Sequence, residues 1–163
     1  MGGGAPEATS ARVLGQSVFV VHGHDDARKH ETARVLAKLT GNEPIILHEQ
    51  ANAGRTLIEK FEKHAGDVGY AVVLATRDDV GRAVGEQEEH PRARQNVVFE
   101  LGFFFGRLGR ARVALLYEED IELPSDTDGI AYIPLAGDGW KLVLARELDA
   151  AGIGVEFTAL KSV

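Results

Sequence analysis

Short apolar runs alternate along this chain with segments of helical periodicity, and this alternation restricts the fold more than any other feature. The runs "SVFVVHG" (residues 17–23) and "GYAVVLAT" (69–76) are rich in apolar and β-branched residues and predict buried strands. Between the two runs, residues 25–41 place apolar side chains at helical spacing. Strands that alternate with helices predict a parallel sheet that is covered by helices on both faces.

The same pattern continues to the end of the chain and predicts five strands and four helices. The strands are expected at 17–23, 44–48, 69–76, 112–117 and 130–134, and the helices at 25–41, 56–64, 94–109 and 138–151. Asp25 or Asp26 is expected to cap the first helix, Thr56 and Glu59 to form a capping box, and Asp138 to cap the last helix. The polar segment 77–93 is expected to be a long loop. Five parallel strands suit an α/β, flavodoxin-like sheet of order 2-1-3-4-5.

Length and composition suit one folded unit in a reducing compartment. The 163 residues are enough for a single domain, and residues 1–16 ("MGGGAPEATSARVLGQ") are expected to be a flexible leader before a domain that spans 17–163. The chain has no cysteine, which excludes disulfides, thiolate zinc sites and a thiol nucleophile. We therefore expect a cytoplasmic location.

Charge and hydropathy restrict the partners. The net charge of −7 makes the chain a poor candidate for wrapping duplex nucleic acid, although a small anion can still bind to a few local arginines or backbone N–H groups. No apolar run approaches ~20 residues, so no membrane-spanning helix is expected.

Several common motifs are missing. The chain has no P-loop, no G-x-G-x-x-G after the first strand and no G-x-S-x-G. His22 and His24, with Asp25 and Asp26, have a spacing that metal ligands can use at a strand end. No third histidine or cysteine lies nearby, so we expect these residues to line a polar loop and we predict no metal site.

The ligand site is expected where the strand order of the sheet reverses. In flavodoxin-like sheets this point lies at the carboxyl ends of the first and third strands. The loops there are "HGHDD" (22–26) and "RDDVGR" (77–82), together with the segment that enters the helix from residue 94. Polar loops on a rigid scaffold commonly carry function.

Glu100 lies on that helix within "RQNVVFELGFFFGRLGR" (94–110), between Phe99 and Leu101. Carboxylates rarely lie among aromatic side chains, because their removal from water is costly. Glu100 is therefore either a boundary residue that pairs with an arginine at the surface, or a carboxylate in the wall of a ligand pocket. The residues alone leave these two interpretations evenly balanced.

A lone carboxylate without cysteine, metal or a serine triad is still suited to one class of reaction. Cleavage of an N-glycosidic bond develops positive charge on the ribose, and a carboxylate can stabilise that charge or bind the ribose hydroxyls. When the leaving group is a cationic pyridinium such as nicotinamide, no general acid is needed to protonate it.

Several long stretches resemble one known family. The stretches are "VFVVHGHD", "PIILHEQANAGRTLIEKFE", "YAVVLATRDDVG", "RARQNVVFELGFFFGRLGR" and "IELPSDTDGIAYIPL". They resemble, in order and over nearly all of residues 17–157, the bacterial TIR-like effector domains of cyclic-nucleotide-activated antiphage systems (CBASS and Pycsar). Such domains are sometimes fused to STING-like or other nucleotide sensors.

The resemblance implies a TIR fold and an enzymatic activity. Many TIR domains hydrolyse NAD to nicotinamide and ADP-ribose, so NAD is expected as a substrate and no cofactor is expected. Their catalytic glutamate lies on the helix after the third strand, and the stretch "QNVVFELG" aligns it with Glu100. The resemblance thus favours the pocket-wall interpretation of this residue.

Further site residues are implied less directly by the same resemblance. Residues 50–55 match the loop that gates the pocket and mediates assembly, and Arg55 is either a phosphate ligand or a surface charge. Asn96 lies one turn before Glu100 and is expected to orient it. The substrate-binding residues implied in this way are His22, Gly23, His24, Asp25, Arg55, Thr76, Asp78 and Asn96.

The resemblance also implies partners and leaves two alternatives. TIR domains associate with one another, and the family usually attaches them to a cyclic-nucleotide sensor, which here is expected as a further domain or a separate chain. One alternative is a non-enzymatic TIR adaptor that only self-associates, and the other is an enzyme similar to nucleoside deoxyribosyltransferases. The activating signal and the choice between linear and cyclic ADP-ribose stay open.

Overall fold

The computed structural model describes residues 15–46, 56–64, 66–125 and 128–163. In these residues, strands β1 to β7 are Ser17–Val21, Ile45–Ile46, Val68–Ala75, Asp79–Gly81, His90–Arg92, Val113–Tyr117 and Ala131–Pro134. Helices α1 to α4 are Asp26–Thr40, Leu57–His64, Gln95–Leu108 and Gly139–Ala150. Two short 3₁₀ helices, Arg110–Arg112 and Phe157–Ser162, complete the described elements.

Five of the strands form one parallel sheet in the order β2-β1-β3-β6-β7. The prediction of a five-stranded parallel α/β sheet is therefore confirmed. The expected strand order was 2-1-3-4-5. The observed order is 2-1-3-6-7, because the chain forms two further strands, β4 and β5, between β3 and α3. The central strand β3 is buried along its whole length, which explains its continuous apolar sequence.

The two additional strands correct the prediction of a long loop at 77–93. β4 and β5 pair in antiparallel fashion, with Val80 opposite Pro91, and form a separate two-stranded sheet. The backbone N–H of Glu122 donates a hydrogen bond to the Pro91 carbonyl at 2.8 Å, which ties this hairpin to a distant part of the chain. The pairing depends on such backbone contacts rather than on an apolar pattern, so residues 77–93 carry no strand signal.

The helices cover the sheet on both faces, as the alternation of strands and helices predicts. On one face α1 and α4 pack against the sheet through Leu36, Trp140 and Leu144. On the other face α2 and α3 pack through Phe61 and Phe104, and both rings contact Phe19 of β1. This second face carries the helix that contains Glu100.

Most predicted helix ends are confirmed, and one is wrong. Asp25 caps α1 by accepting a hydrogen bond from the Arg28 N–H at 2.9 Å. Thr56 and Glu59 form the reciprocal hydrogen bonds of a capping box at the start of α2. Asp138 precedes α4 but makes no side-chain cap; its carboxylate pairs with Lys141 at 2.7 Å instead.

Residues near the amino terminus join the folded unit from position 15 onward. The side chain of Gln16 donates to the Gly152 carbonyl and accepts from the Gly154 N–H, at 2.9 and 2.8 Å. The rest of the predicted leader, residues 1–14, lies outside the described residues. None of the helices in the described part of the chain is long and apolar enough to cross a bilayer.

Candidate active site

A polar cavity of about 310 Å³ opens where the strand order reverses between β1 and β3. The loop after β1 forms one side, and the start of α3 forms the other. The cavity is lined by His22, Gly23, His24, Asp26, Arg94, Asn96 and Val97. Four of these residues, at positions 22, 23, 24 and 96, belong to the site that the resemblance implies.

His22 is buried at the end of β1, and its orientation is fixed by the backbone. Its Nδ1 lies 2.8 Å from the Gly23 carbonyl oxygen. A carbonyl only accepts hydrogen bonds, so Nδ1 carries a proton.

Asp78 connects the loop after β3 with the loop after β1. Its Oδ1 accepts a hydrogen bond from the His24 N–H at 3.1 Å, and its Oδ2 accepts one from the Thr76 hydroxyl at 3.0 Å. The carboxylate lies so close to Gly23 that a Cβ there would be 1.7 Å from Oδ2. Asp78 and the buried Thr76 are thus engaged in holding the two loops together, and neither is among the residues that line the cavity.

The two aspartates that follow His24 have different roles. The Asp25 carboxylate is occupied by the cap of α1, whereas Asp26, which was not predicted as a site residue, lines the cavity. Asp26 forms an ion pair of 2.8 Å with the buried Lys29. The hydrogen bond and the charge of Lys29 lower the pKa of the Asp26 carboxyl.

Glu100 points into the protein and not to the surface. Its residue is 6% exposed, whereas the neighbouring Phe99 is 63% exposed. Val97 and Phe104, three residues before and four after Glu100, are buried on the same face of α3. Arg107, an arginine within two turns, lies over the Phe61 ring.

The surroundings of Glu100 change its acidity. Burial raises the pKa of its carboxyl to about 7, and the charge of Lys60 on α2 opposes that rise. Helix α2 is held against α3 by ring contacts of Phe61 with Phe103 and Phe104, at 5.3 and 5.6 Å between centroids. Lys60 immediately precedes Phe61 on this helix.

Helix geometry relates Glu100 to the cavity. Asn96 and Val97 line the cavity, and Glu100 follows them by four and three residues on the same side of α3. At about 1.5 Å of rise per residue, Glu100 lies roughly 5 to 6 Å further along the helix axis. Glu100 is not among the described residues that line the cavity, and its buried carboxylate lies about one turn beyond them along α3.

Some predicted residues are not brought together here, and some residues were missed. Arg55 and the rest of the 50–55 loop lie outside the described residues. Two residues were not predicted: Arg94, which precedes α3 and contacts Nε2 of His24 through its guanidinium, and Lys60. In the part of the chain that the structure describes, no group of three or more histidines and acidic residues is arranged to hold a metal ion.

A second cavity of about 310 Å³ lies on the other flank of α3. Its lining is mostly apolar and includes Val98, Leu101 and Leu115, with Arg92 and Glu122 as charged members. Among the described residues, none of the predicted site residues lines the second cavity, whereas four of them line the first, and Glu100 lines neither. We therefore assign the site to the polar cavity at the switch point.

The fold and the position of the cavity define the class of protein: a flavodoxin-like α/β domain of the TIR type with a polar pocket at the topological switch point. Residues 17–137 match the family model described as "CAP12/Pycsar effector protein, TIR domain". The chain belongs to this family, and the resemblance read from its sequence is confirmed.

Similar proteins occur in bacteria and in a eukaryote. The chain is 46% identical over 149 residues to the uncharacterized protein YuaY of Escherichia coli (strain K12), covering 91% of this chain and 50% of that protein. It is 33% identical over 131 residues to protein tirC of Dictyostelium discoideum, covering 74% of this chain and 65% of that protein. It is 43% identical over 83 residues to the Pycsar effector protein BcPycTIR of Burkholderia cepacia, covering 50% of this chain and 27% of that protein. The chain thus spans between about a quarter and two-thirds of the length of these relatives.

Proposed function

We propose that this protein is an NAD glycohydrolase that cleaves NAD into nicotinamide and ADP-ribose, with Glu100 as the catalytic residue. The observation that carries the proposal is the buried carboxylate of Glu100 on α3, one turn beyond the residues that line the switch-point cavity. A buried acidic group with a shifted pKa beside a cleft is typical of a catalytic group. Membership of the TIR family supports the same conclusion.

The proposed reaction breaks the bond between the ribose C1′ and the pyridinium nitrogen of nicotinamide. The electron pair of that bond goes to the nitrogen, so nicotinamide leaves as a neutral molecule and positive charge develops on the ribose ring. Water then adds to C1′ and releases one proton, which gives ADP-ribose. Nicotinamide becomes neutral when the bond breaks, so the reaction needs no general acid to protonate it.

Glu100 contributes electrostatic stabilisation in this scheme. An ionised carboxylate in a partly dehydrated site interacts strongly with the cationic ribose of the transition state. The free protein holds Glu100 at a pKa of about 7, so near neutral pH the group is divided between its two forms. A bound pyridinium cation favours the ionised form, which is the form that the reaction uses.

We further propose that the protein is an effector of antiphage defence that acts when copies are assembled by a cyclic-nucleotide sensor. The support is the family model and the printed names of relatives, among them Pycsar effector proteins and "CD-NTase-associated protein 12" of Sphingobacterium faecium. The sensor is proposed as a further domain or a separate chain. Self-association through TIR–TIR contacts is the proposed route from sensing to activity.

Incubation of the protein with NAD, with and without a free base, tests the proposed activity. We expect nicotinamide and ADP-ribose, or a cyclic form of ADP-ribose, in both reactions. A base-exchange product that replaces hydrolysis would favour the transferase alternative. No consumption of NAD by the assembled protein would favour a non-enzymatic adaptor and contradict the proposal.

A further inference from the structure

The switch-point cavity contains an arginine that no carboxylate of the described residues neutralises. Arg94 is half-buried directly before α3 and lines the cavity. Within the described ranges, no aspartate or glutamate forms an ion pair with its guanidinium, and the one hydrogen bond of that group goes to Nε2 of His24. A guanidinium has five N–H donors, so most of them remain available to a ligand in the cavity.

The position of Arg94 is set by the two loops of the site. The backbone N–H of His24 is held by Asp78, and the imidazole of His24 in turn accepts from Arg94. The carbonyl of Arg94 accepts the Val98 N–H in the first turn of α3 at 3.2 Å. Arg94 is therefore held at its backbone, and its guanidinium lies against the imidazole of His24.

The charges at the cavity favour an anion. Among the described residues that line it, Asp26 is the one acidic residue, and Lys29 neutralises that carboxylate through their ion pair. The Asp78 carboxylate lies against Gly23 and accepts hydrogen bonds from the His24 N–H and the Thr76 hydroxyl, so the guanidinium of Arg94 is the charge at the cavity that has no carboxylate partner among the described residues. The start of α3, where no side chain caps the backbone, adds a partial positive charge of the helix dipole.

The lining also indicates which part of a dinucleotide fits. Among the described residues that line the cavity, His24, Arg94 and Asn96 carry side-chain groups that can donate hydrogen bonds. These groups suit a charged, oxygen-rich part of the dinucleotide. Arginine is well suited to phosphate because its planar fork donates two parallel hydrogen bonds.

We propose that this cavity is a diphosphate subsite, in which Arg94 binds the diphosphate that joins the two nucleosides of NAD. His24 is the residue that positions Arg94. The inference rests on the proposed function for the identity of the dinucleotide. Arg94 precedes Glu100 by six residues, about 9 Å along the helix axis, which leaves room for the ribose between the diphosphate and the carboxylate.

The first test measures binding of ADP-ribose to the 163-residue protein by calorimetry, without any turnover. We expect Arg94→Gln to weaken ADP-ribose binding about 10- to 100-fold, because a hydrogen-bonded charge contact is lost. Arg94→Lys keeps the charge but not the fork, so it should weaken binding less. Arg146→Gln is the matched control, since Arg146 is exposed on α4 at the opposite face of the sheet, and it should bind ADP-ribose as the wild type does.

The second test compares substrates with and without a diphosphate. Arg94→Gln should raise KM for NAD and leave the KM for nicotinamide riboside, which has no phosphate, unchanged. Unchanged ADP-ribose affinity in a folded Arg94→Gln protein would overturn the subsite, as would a wild type that binds no ADP-ribose or an equal loss with nicotinamide riboside. If Arg94→Gln does not fold, ADP-ribose affinity is measured on Arg94→Lys instead. An affinity equal to that of the wild type would overturn the proposal.

These outcomes separate the subsite from the proposed function. Binding of ADP-ribose that depends on Arg94, in a protein that never cleaves NAD, would support the subsite and contradict the glycohydrolase. Normal cleavage of NAD, together with ADP-ribose binding that does not depend on Arg94, would support the glycohydrolase and contradict the subsite.

Discussion

The side chains around Glu100 determine the pKa of its carboxyl. Its apolar neighbours on α3 raise the pKa of the carboxyl to about 7, and Lys60 on α2 limits the rise. Glu100 and Lys60 resemble other buried pairs of titratable groups in which the environment, and not the residue type, sets the pKa. Two consequences can be measured, one for activity and one for stability.

The first consequence concerns activity: the pH dependence of kcat/KM should change when Lys60 is replaced. If ionised Glu100 is required, kcat/KM for NAD should rise with pH through a midpoint near 7. Lys60→Met removes the opposing charge, so the midpoint should move upward by up to about one pH unit. Lys63→Met, on the exposed side of the same helix, is the control and should leave the midpoint in place. A midpoint that is the same in both variants and in the wild type would contradict the assignment.

The stability consequence has a definite sign. Folded Glu100 keeps its proton up to a pKa of about 7, whereas the ordinary value is 4.5. The folded state therefore binds more protons in this interval, and the free energy of unfolding falls as pH rises from about 4.5 to about 7. The contribution, at most about 3 kcal/mol, is present below that interval and lost above it.

At the scale of elements, the site depends on a latch between the loops that follow β1 and β3. The Asp78 carboxylate accepts from the His24 N–H and the Thr76 hydroxyl while it lies against Gly23. This arrangement requires a residue without a Cβ at position 23. It gives the site a fixed frame at the point where the strand order reverses.

A double-mutant cycle tests this latch. Gly23→Ala should lower the free energy of unfolding by about 1–3 kcal/mol, because the new Cβ would collide with the Asp78 carboxylate. In an Asp78→Ala background the same change should cost less, and the coupling should exceed about 0.5 kcal/mol. Urea unfolding gives both values, and Asp149→Ala on α4 serves as the control background. Equal costs of Gly23→Ala in all three backgrounds would show that the latch does not constrain position 23.

Elements differ in how well the sequence predicts them. The parallel sheet, the cap by Asp25 and the capping box at Thr56 could be predicted, because each rests on a local pattern of apolar or polar residues. The β4–β5 hairpin could not, because its strands are short and polar and are tied down by the backbone of Glu122. Asp138 was expected to cap α4, but it prefers the nearby ammonium of Lys141.

The same limit applies to the site. The inward position of Glu100 agrees with the apolar residues three and four positions away, which a sequence displays. Lys60 and Arg94 were missed because their roles depend on how α2 packs on α3 and how the start of α3 meets the loop after β1. Such contacts join residues that are far apart in sequence.

At the scale of the whole molecule, activity is expected to depend on assembly. The relatives named as Pycsar effectors are longer than this chain, which covers 27% of the Burkholderia cepacia protein. We expect weak NAD hydrolysis by this chain at low concentration and a higher turnover per molecule when copies are brought together. Turnover measured over a wide concentration range, and after fusion to an oligomer-forming domain, checks this. Constant turnover per molecule under all these conditions would contradict control by assembly.

The central claim is that the Glu100 carboxylate performs the chemistry, and Glu100→Gln tests it most directly. The amide is nearly isosteric and removes only the charge, so the fold should persist, and near neutral pH the melting temperature should hold or rise slightly. Loss of one well-placed electrostatic group typically costs about 10²- to 10³-fold in rate, and a sole catalytic carboxylate costs more.

The measurement is NAD turnover and melting temperature on the same Glu100→Gln protein, under conditions where the wild type is active. Glu118→Gln is the control for the substitution itself, since Glu118 lies beyond β6 and contacts Arg28 and the Arg77 N–H rather than the cavity. We predict a folded Glu100→Gln protein that cleaves no detectable NAD, beside an active control. Wild-type turnover in a well-folded Glu100→Gln protein would contradict the mechanism.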